Sequence, residues 1–272
     1  MQRHIDEIEF TIFDTETTGL EPESGDRIVE IAAVRVKGNE RLATFQTLVN
    51  PGRPISWAAF QVNRITGDML KSAPAIEKVM PEFLGFIKGS CLCSYNAGFD
   101  LGFLRHEMQA SVQLPLDNLV VDVLKMARRL IPGQERYALG CITDTLGITT
   151  AQVHRALADV ELTLQVFRQL KEKLTAQGIV DFGNLLSLFG MNADVLDTLN
   201  NQKISRIQEA LDLGVRLKIR YLASSTARVS ERQVIPKQIV QEHKRFYLVG
   251  HCCLRNEERS FRIDNIVHLE IV

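Results

Sequence analysis

The chain has 272 residues, 45% of them apolar, and 32 basic residues against 33 acidic residues give a net charge of −1. This size and composition are typical of one large or two modest globular domains and exclude a disordered or collagen-like chain. No apolar run approaches the roughly 20 residues that cross a bilayer, and the amino terminus lacks the apolar stretch of a secretory signal. We therefore expect a cytoplasmic protein without a membrane segment.

The first part of the chain reads as strands. Residues 8–13 alternate between apolar and polar side chains, and residues 28–36 and 44–49 are further apolar, β-branched runs. Residues 35–40, which contain Gly38, supply a turn between the second and third runs. Three strands in succession predict an antiparallel meander, with the first strand ending at Asp14.

Helical patterns then alternate with short strands. The predicted helices cover residues 56–64, 72–87, 99–109, 137–146 and 156–174, a short buried strand covers 91–95, and 120–130 reads as a strand followed by a helix. Strands interleaved with helices predict an α/β domain, a mixed sheet with flanking helices.

The pattern changes after Gly178. Two short helices are predicted at residues 182–189 and 203–213, and short strands at 215–221, 233–240, 245–253, 259–263 and 267–272. Short strands joined by turns predict a small β-barrel. We expect a first domain at 1–175, a helical linker at 176–202 and a second domain at 203–272. Residues 203–272 carry 13 basic and 8 acidic side chains, so this second domain is mildly basic, as suits a module that contacts phosphates.

Four acidic residues in the first 160 positions are the main candidates for chemistry. Asp14 and Glu16 are two apart, so on a strand they share one face. Brought together with Asp100 and Asp159, they would form an oxygen-rich, negative pocket that divalent cations must neutralise. Two Mg²⁺ or Mn²⁺ ions in such a pocket are suited to hydrolysis of phosphodiesters.

His154 is the candidate to accept the proton of the attacking water. It lies five residues before Asp159, and five helical steps turn by roughly 140°, so both side chains cannot share one helix face. We therefore expect Asp159 on a helix and His154 on the loop that enters it. Gly19 allows a tight exit after Glu16 and is expected to leave the backbone amides of Thr17 and Thr18 exposed near the site.

The segments Phe13-Asp14-Thr15-Glu16-Thr17-Thr18-Gly19, Tyr95-to-Asp100 and His154-to-Asp159 resemble the DEDD superfamily of 3′–5′ exonucleases, in its histidine-bearing, DnaQ-like branch. The resemblance covers about residues 8–172 and implies a ribonuclease-H-like fold. It also implies that the four acids hold two metal ions, Mg²⁺ or Mn²⁺, and that His154 is the general base.

Residues that contact nucleic acid are expected from the same resemblance. The segment Ile65-Thr66-Gly67 resembles the family stretch that packs against the terminal base. Tyr95 stands where the family often has His, and either stacks on a base or fills the core. The predicted nucleic-acid-binding residues are Thr15, Thr17, Thr18, Gly19, Ile65, Thr66, Tyr95 and Asn96.

Residues 203–272 resemble a WYL domain, with Phe246-Tyr247-Leu248 in place of the Trp-Tyr-Leu that names the family. This resemblance implies a small SH3/Sm-like β-barrel that senses nucleic-acid or nucleotide ligands. Two interpretations stay open: the tyrosines and arginines bind the ligand, or they serve the core and surface ion pairs. The candidate ligand residues are Tyr221, Arg232, Tyr247, Arg259 and Arg262.

Together these features predict a metal-dependent 3′–5′ exonuclease acting on DNA ends, most simply single-stranded, in repair, replication or defence. An exonuclease that acts on RNA or short oligoribonucleotides is an alternative, although no recognisable feature of the sequence reads a 2′-hydroxyl. Another alternative is a ligand-responsive regulator whose nuclease-like half only binds ends. The sequence leaves the oligomeric state open.

Overall fold

The computed structural model describes residues 3–111, 115–149 and 154–272. These residues form two compact units. The amino-terminal unit comprises His4–Arg128 and Gln134–Glu172, and the carboxyl-terminal unit comprises Lys173–Val272 together with Arg3 and Arg129–Gly133.

A mixed five-stranded sheet forms the centre of the amino-terminal unit. Its strands are β1 (Glu9–Thr17), β2 (Ile28–Lys37), β3 (Glu40–Leu48), β4 (Cys91–Ser94) and β5 (Val120–Asp122), in the spatial order β3-β2-β1-β4-β5. β1, β2 and β3 pair antiparallel, whereas β4 and β5 run parallel to β1. The predicted meander and mixed sheet are therefore confirmed.

β1 is longer than predicted, because its ladder with β2 continues past Asp14 to Thr17. Asp14 pairs with Ala32 and Glu16 with Glu30. Both carboxylates therefore belong to a central strand with fixed geometry, whereas the predicted first strand ended at Asp14.

Helices cover both faces of this sheet. The helices in the first part of the chain are α1 (Trp57–Asn63), α2 (Gly67–Lys71), α3 (Ile76–Ile87), α4 (Ala97–Ser111), α5 (Val123–Leu130), α6 (Leu139–Thr145) and α7 (Ala156–Thr175). Phe10 and Phe13 are three apart on β1 and so face opposite sides. Phe10 contacts Phe167 of α7 at 5.0 Å between ring centroids, and Phe13 contacts Phe83 of α3 at 6.3 Å. The sheet is thus the middle layer of an α/β sandwich.

The carboxyl-terminal unit is an antiparallel sheet with helices. It contains α8 (Phe182–Phe189), α9 (Ala193–Leu213), β6 (Leu217–Leu222), β7 (Val229–Glu242), β8 (Arg245–Cys252), β9 (Glu257–Arg262) and β10 (Ile266–Ile271), with the strands in the order β10-β6-β7-β8-β9. The predicted antiparallel strands are present, but among the described residues β9 and β10 are edges that do not pair with each other, so the sheet does not close into the predicted small barrel. Ile207 and Ala210 of α9 join the core of the sheet, and this helix buries apolar surface that closure would otherwise bury.

α9 begins ten residues earlier than predicted. The asparagines and aspartates of residues 192–202 have low helix propensity, which favoured a loop at this position. Leu199, however, is buried. The helix runs without a break past residue 203, where the predicted helix began, and Gly214 ends it with a left-handed backbone (φ 64°). Among the described residues, no helix combines the length and the apolar character that crossing a bilayer requires.

Candidate active site

Three carboxylates converge at one edge of the amino-terminal unit. Asp14 and Glu16 project from β1 and Asp159 from the first turn of α7, and each offers an oxygen within 4.8 Å of the oxygens of the other two. The i, i+2 spacing places the first two on one face of β1, as the sequence predicted. Oxygen atoms this close together can share one hard cation. We call these residues the carboxylate cluster.

Asp100 lies beside the carboxylate cluster and is almost fully buried. Its Oδ1 accepts hydrogen bonds from the backbone N–H of Thr15 at 3.0 Å and from the Thr15 hydroxyl at 2.7 Å. Its Oδ2 accepts one from the Ser94 hydroxyl at 2.5 Å. These donors fix the carboxylate next to the cluster, since Asp100 is near enough to raise the pKa of Asp14. Thr15 and Ser94 are positioning residues that sequence reasoning did not assign this role.

Burial and mutual repulsion make the carboxylate cluster hard to ionise. Burial first, and then the neighbouring Asp100 and Glu16, raise the pKa of Asp14 well above its usual value. Burial, followed by the charge of Asp159, raises the pKa of Glu16 to about 8. Burial also raises the pKa of Asp159. These shifts fit a site completed by divalent cations, which lower such pKa values when they bind.

Two opposing effects act on the pKa of Asp100. Burial raises its pKa to about 6, while the hydrogen bonds from Ser94 and Thr15 oppose that rise. In the described parts of the chain, no lysine or arginine forms an ion pair with Asp100 or with the carboxylate cluster. A cation from solution is therefore the natural partner of these acids.

Glu30 is a fifth buried acid in the same region and has the opposite character. Arg155 donates to it from Nε at 3.0 Å and from Nη2 at 2.9 Å, and Gln46 donates at 3.0 Å. Burial acts to raise the pKa of Glu30, but the hydrogen bonds from Arg155 and Gln46 hold it below its usual value. The backbone N–H of Ala156 also donates to Glu30 at 3.2 Å. Glu30 thereby anchors the start of α7, the helix that carries Asp159.

Sequence reasoning missed Glu30 and Arg155. The signal was available, because Glu30 is a lone acid inside the apolar run of residues 28–34. Such a residue is buried only when it is paired. Arg155, directly after His154, lies inside the predicted site segment of residues 154–159.

His154 lies on a bend two residues before α7, with an exposed side chain and a left-handed backbone (φ 65°). Its backbone N–H faces the Asp159 carboxylate, 3.4 Å from Oδ1. The loop position expected from the spacing is therefore present. Residues 150–153, directly before His154, lie outside the described residues.

The threonines of the first motif serve the fold more than a ligand. The Thr18 backbone N–H donates to Arg27 O at 2.9 Å and its hydroxyl to Asp26 Oδ1 at 2.9 Å. Thr18 is fully buried, so the prediction of an exposed amide at this residue is wrong. Thr17 is nearly buried and its hydroxyl donates to Gly19 O at 2.5 Å. A Cβ at Gly19 would collide with the Asp26 carboxylate, so a larger residue there would force that side chain to move.

Two further predicted contacts differ in the structure. Ile65 is fully buried against Val29 and Leu70, so its side chain is not available to pack on a base. Thr66 is exposed but caps α2, since its hydroxyl accepts from the backbone N–H of Met69 at 3.3 Å. The apolar residue of this segment therefore contributes to a small core.

Tyr95 and Asn96 follow β4. Tyr95 is half-buried, and its hydroxyl donates to Tyr137 O at 2.7 Å, which agrees with the core-filling interpretation. Asn96 is exposed and has a left-handed backbone (φ 70°) at the turn into α4. The turn directs Asp100, one helical turn later, toward β1.

A cavity of about 550 Å³ opens beside Glu16. Leu20, Val62 and Phe99 give it apolar walls, while Asn63 and Glu16 are polar at its edge. Asn63 hydrogen-bonds to Glu16, and its Nδ2 also lies 3.3 Å from Thr17 O. The cavity therefore joins the carboxylate cluster to a space with the size and character of a nucleotide site. Sequence reasoning missed these wall residues, because scattered apolar side chains carry no motif.

The candidate residues of the carboxyl-terminal unit do not all converge. Tyr247 and Arg262 are direct cross-strand partners on β8 and β9. Arg259 is three residues from Arg262 on β9 and therefore faces the other side, where its Nε lies 3.6 Å from Glu257. Arg232 pairs with Ile219 across β6 and β7. The three candidate arginines therefore do not converge on one site, because strand alternation separates Arg259 from Arg262.

The tyrosines show mixed roles. The Tyr221 ring contacts Phe261 edge-on at 5.3 Å, and its hydroxyl accepts from Asn265 Nδ2 at 3.2 Å. In the Phe246-Tyr247-Leu248 segment, Leu248 is fully buried and Phe246 packs against the same core. Tyr247 is half-buried on the other side of the strand. The segment that names the WYL family thus serves mainly as core.

Comparisons with known proteins agree with both units. The family model described as Exonuclease (RNase_T) matches residues 11–167, and the model of the WYL domain matches residues 202–271. A DNA polymerase III subunit epsilon-like protein of Rhodobacter capsulatus is 42% identical over 67% of the chain, and a PolC-type DNA polymerase III of Caldanaerobacter subterraneus is 31% identical over 95%. The aligned parts make up 26% and 18% of these relatives, so the chain spans only a fraction of their length.

Solved structures match the amino-terminal part. Exonuclease X in complex with 5′-overhanging duplex DNA is 31% identical, with a TM-score of 0.50, and the match covers 62% of this chain and 93% of that one. The nuclease domain of 3′hExo, a DEDDh family member bound to rAMP, shares the fold at 19% identity with a TM-score of 0.55, over 63% of this chain and 94% of that one. The chain belongs to the DnaQ-like exonuclease family, the hydrolytic 3′–5′ nucleases of the DEDDh class that use divalent metal ions, and its carboxyl-terminal region is a WYL domain.

Proposed function

We propose that this protein is a metal-dependent 3′–5′ exonuclease that removes nucleoside 5′-monophosphates from the 3′ end of DNA. The observation that carries the proposal is the carboxylate cluster, which is half-buried, has no cationic side chain paired with it in the described part of the chain, and opens into a nucleotide-sized cavity. DNA as the substrate is supported by the similarity to Exonuclease X, whose structure contains duplex DNA with a 5′ overhang.

The carboxylate cluster and Asp100 would hold two divalent cations, Mg²⁺ or Mn²⁺. Cations held there would supply positive charge at the scissile phosphate and increase the acidity of the attacking water. The chain's own contribution is orientation. β1 fixes Asp14 and Glu16, the pair formed by Glu30 and Arg155 fixes the start of α7, and Ser94 and Thr15 fix Asp100.

His154 accepts the proton of the attacking water in this proposal. The water oxygen bonds to phosphorus, the bond from phosphorus to the 3′-oxygen of the preceding nucleotide breaks, and that oxygen is protonated from solvent. The products are a nucleoside 5′-monophosphate and a strand one nucleotide shorter with a 3′-hydroxyl. The exposed position of His154 beside Asp159 suits this role, because the imidazole can exchange its proton with solvent.

The cavity beside Glu16 receives the terminal nucleotide. Apolar contacts from Leu20, Val62 and Phe99 favour the flat face of any base and do not read the hydrogen-bonding edge of the base. We therefore expect little sequence preference. The WYL domain adds a second, ligand-binding role for nucleic acid or a nucleotide, which Tyr247 and Arg262 support by their position as cross-strand neighbours.

The test is digestion of three 5′-labelled substrates with Mg²⁺ or Mn²⁺: single-stranded DNA, duplex DNA with a recessed 3′ end, and RNA of the same sequence. We expect DNA to be shortened stepwise from its 3′ end, and Asp14→Asn to reduce the rate to that measured in EDTA. Asp144→Asn is the matched control, because Asp144 is an exposed residue of α6, and this variant should retain the wild-type rate.

Equal digestion by wild-type protein and Asp14→Asn would refute the assigned site. Faster digestion of RNA than of DNA would replace the proposed substrate with oligoribonucleotides. End binding without release of mononucleotides by the wild type would favour a regulator over an enzyme.

A further inference from the structure

The carboxyl-terminal unit holds three basic side chains near Asp264, which belongs to a short 3-10 helix, Ile263–Asn265. Arg262 donates to Asp264 through Nε at 3.0 Å and through Nη2. Lys203 of α9 donates from Nζ to the Ser187 hydroxyl at 2.8 Å and lies 3.4 Å from Ile263 O. We call Arg129, Lys203 and Arg262 the basic cluster.

Arg129 belongs to this unit by its contacts, although it precedes the WYL region in sequence. Its Nη2 donates to Leu222 O, at the end of β6, at 2.8 Å. The preceding residue, Tyr221, accepts a hydrogen bond from Asn265, which directly follows Asp264. A continuous set of contacts therefore connects Arg129 to the 3-10 helix that Arg262 and Lys203 contact.

The charges in this region do not balance. Asp264 is the acidic side chain whose charge influences all three members of the basic cluster. Three positive side chains therefore share one negative side chain. The Nε atom of Arg129 is buried and has no hydrogen-bond partner among the described residues. A buried donor without an acceptor is costly, and so is unmatched buried charge.

The electrostatic shifts agree with this geometry. Burial, and then the nearby Arg262, lower the pKa of Arg129. Burial lowers the pKa of Lys203 to about 8, against the opposing influence of Asp264. The unit therefore holds its positive charge in an unfavourable environment that an anion would relieve.

We propose that the basic cluster is a binding site for a phosphate monoester, the 5′-phosphate of a nucleotide. The surplus of two positive charges matches the dianion of a phosphate monoester better than the single charge of a phosphodiester. Guanidinium groups also fit the geometry of phosphate oxygens, and the buried Nε of Arg129 lacks an acceptor, which a phosphate oxygen would supply. Tyr221 and Tyr247 lie beside Arg262 and offer rings to the nucleoside.

This inference rests on the ligand-binding role proposed for the WYL domain and narrows it to one chemistry and to new residues. It also offers a direct relation to the nuclease, because a nucleoside 5′-monophosphate is the product proposed for the other unit. Arg129 lies outside residues 202–271, so the WYL match by itself does not include the complete site.

The test uses full-length Asp14→Asn protein in EDTA, so that the carboxylate cluster neither hydrolyses nucleotides nor binds them through a metal. Calorimetric titrations compare four probes: inorganic phosphate, 2′-deoxyadenosine 5′-monophosphate, 2′-deoxyadenosine, and a dinucleoside monophosphate that has only a diester. We expect the monophosphate to bind, inorganic phosphate to compete with it, the nucleoside not to bind, and the diester to bind at least about tenfold more weakly.

Arg129→Gln and Arg262→Gln should each weaken binding of the monophosphate by about tenfold or more, since each removes charge-assisted hydrogen bonds. Arg259→Gln is the matched control, because it removes the same charge from β9 on the opposite face, and its affinity should be unchanged. Lys203→Met is the second variant if Arg262→Gln does not fold, as judged by circular dichroism, and it should also weaken binding.

Wild-type affinity in Arg129→Gln, or equal binding of the nucleoside and the monophosphate, would overturn the proposed site. A parallel nuclease assay on the wild type separates the two proposals. Active nuclease with no monophosphate binding in the Asp14→Asn protein refutes this inference alone, whereas binding without nuclease activity supports it and refutes the proposed catalysis.

Discussion

The two units bury unmatched charges of opposite sign. In the amino-terminal unit Asp14, Glu16 and Asp159 face one another without a cationic side chain among the described residues, and in the carboxyl-terminal unit a basic cluster surrounds a single acid. Burial of unmatched charge costs free energy in either case. The difference in sign therefore indicates which ligand each unit takes: divalent cations in the first and a phosphate in the second.

The same contrast exists inside the amino-terminal unit, between Glu16 and Glu30. These residues are cross-strand partners on β1 and β2. Glu30 accepts hydrogen bonds from Arg155, which help to hold its pKa below the usual value. Glu16 has no such partner, and burial raises its pKa to about 8. The fold thus neutralises the carboxylate that it uses for structure and leaves the neighbouring carboxylate available for a metal ion.

Removal of the proposed general base should have the largest effect. We expect His154→Ala to lower kcat by about 10²–10⁴-fold, because the attacking water loses its proton acceptor. The measurement is the rate of nucleotide release from single-stranded DNA at saturating Mn²⁺. Binding of Mn²⁺ and of DNA should change little, and a wild-type kcat in this variant would exclude the assigned role.

Breaking the buried ion pair should mainly affect stability. Arg155→Met leaves the Glu30 carboxylate buried without its cation, and we expect the free energy of unfolding to fall by about 3–5 kcal/mol. Arg41→Met is the matched control, since Arg41 pairs with Glu161 on an exposed surface and should contribute about 1 kcal/mol or less. Denaturant titrations compare the two variants. Equal losses of unfolding free energy in the two variants would show that the buried pair stabilises the protein no more than the exposed pair.

Loss of a hydrogen bond that orients Asp100 should have a smaller effect on metal affinity and activity. Ser94→Ala removes the hydroxyl that donates to Asp100 Oδ2, and we expect a loss of about 10–100-fold in Mn²⁺ affinity or activity. Ser205→Ala changes an exposed serine on α9 and should leave both quantities unchanged. Wild-type affinity and activity in Ser94→Ala would mean that Thr15 alone holds the carboxylate.

The pH dependence of stability sharpens the contrast further. The pKa of Glu16 is higher in the folded protein, about 8, than its ordinary value of 4.5. The unfolded chain therefore releases this proton at lower pH than the folded protein does, and the stability of the metal-free protein should fall as pH rises from about 5 to about 8. Thermal unfolding in EDTA should show this fall, and Glu16→Gln should reduce it. A melting temperature that rises over this range and is unaffected by Glu16→Gln would contradict the assigned shift.

Most of the fold and the acidic residues of the site were predictable, because strand alternation and helical periodicity are local properties. Asp14 and Glu16 share a face for the same local reason. The partners of these residues were not predictable, since Arg155 meets Glu30 over 125 positions and Thr15 meets Asp100 over 85. Whether the second sheet closes into a barrel also depends on long-range packing. Local periodicity could not show that α9 would cover the core of that sheet.

Calorimetric titration of Mn²⁺ into the metal-free protein tests the central claim most directly. The carboxylate cluster and Asp100 should bind two Mn²⁺ ions in the wild type, Asp14→Asn and Asp159→Asn should lose this binding, and Asp144→Asn should keep it. Unchanged stoichiometry and affinity in both cluster variants would show that these carboxylates do not hold the metal, and the proposed chemistry would then have no site.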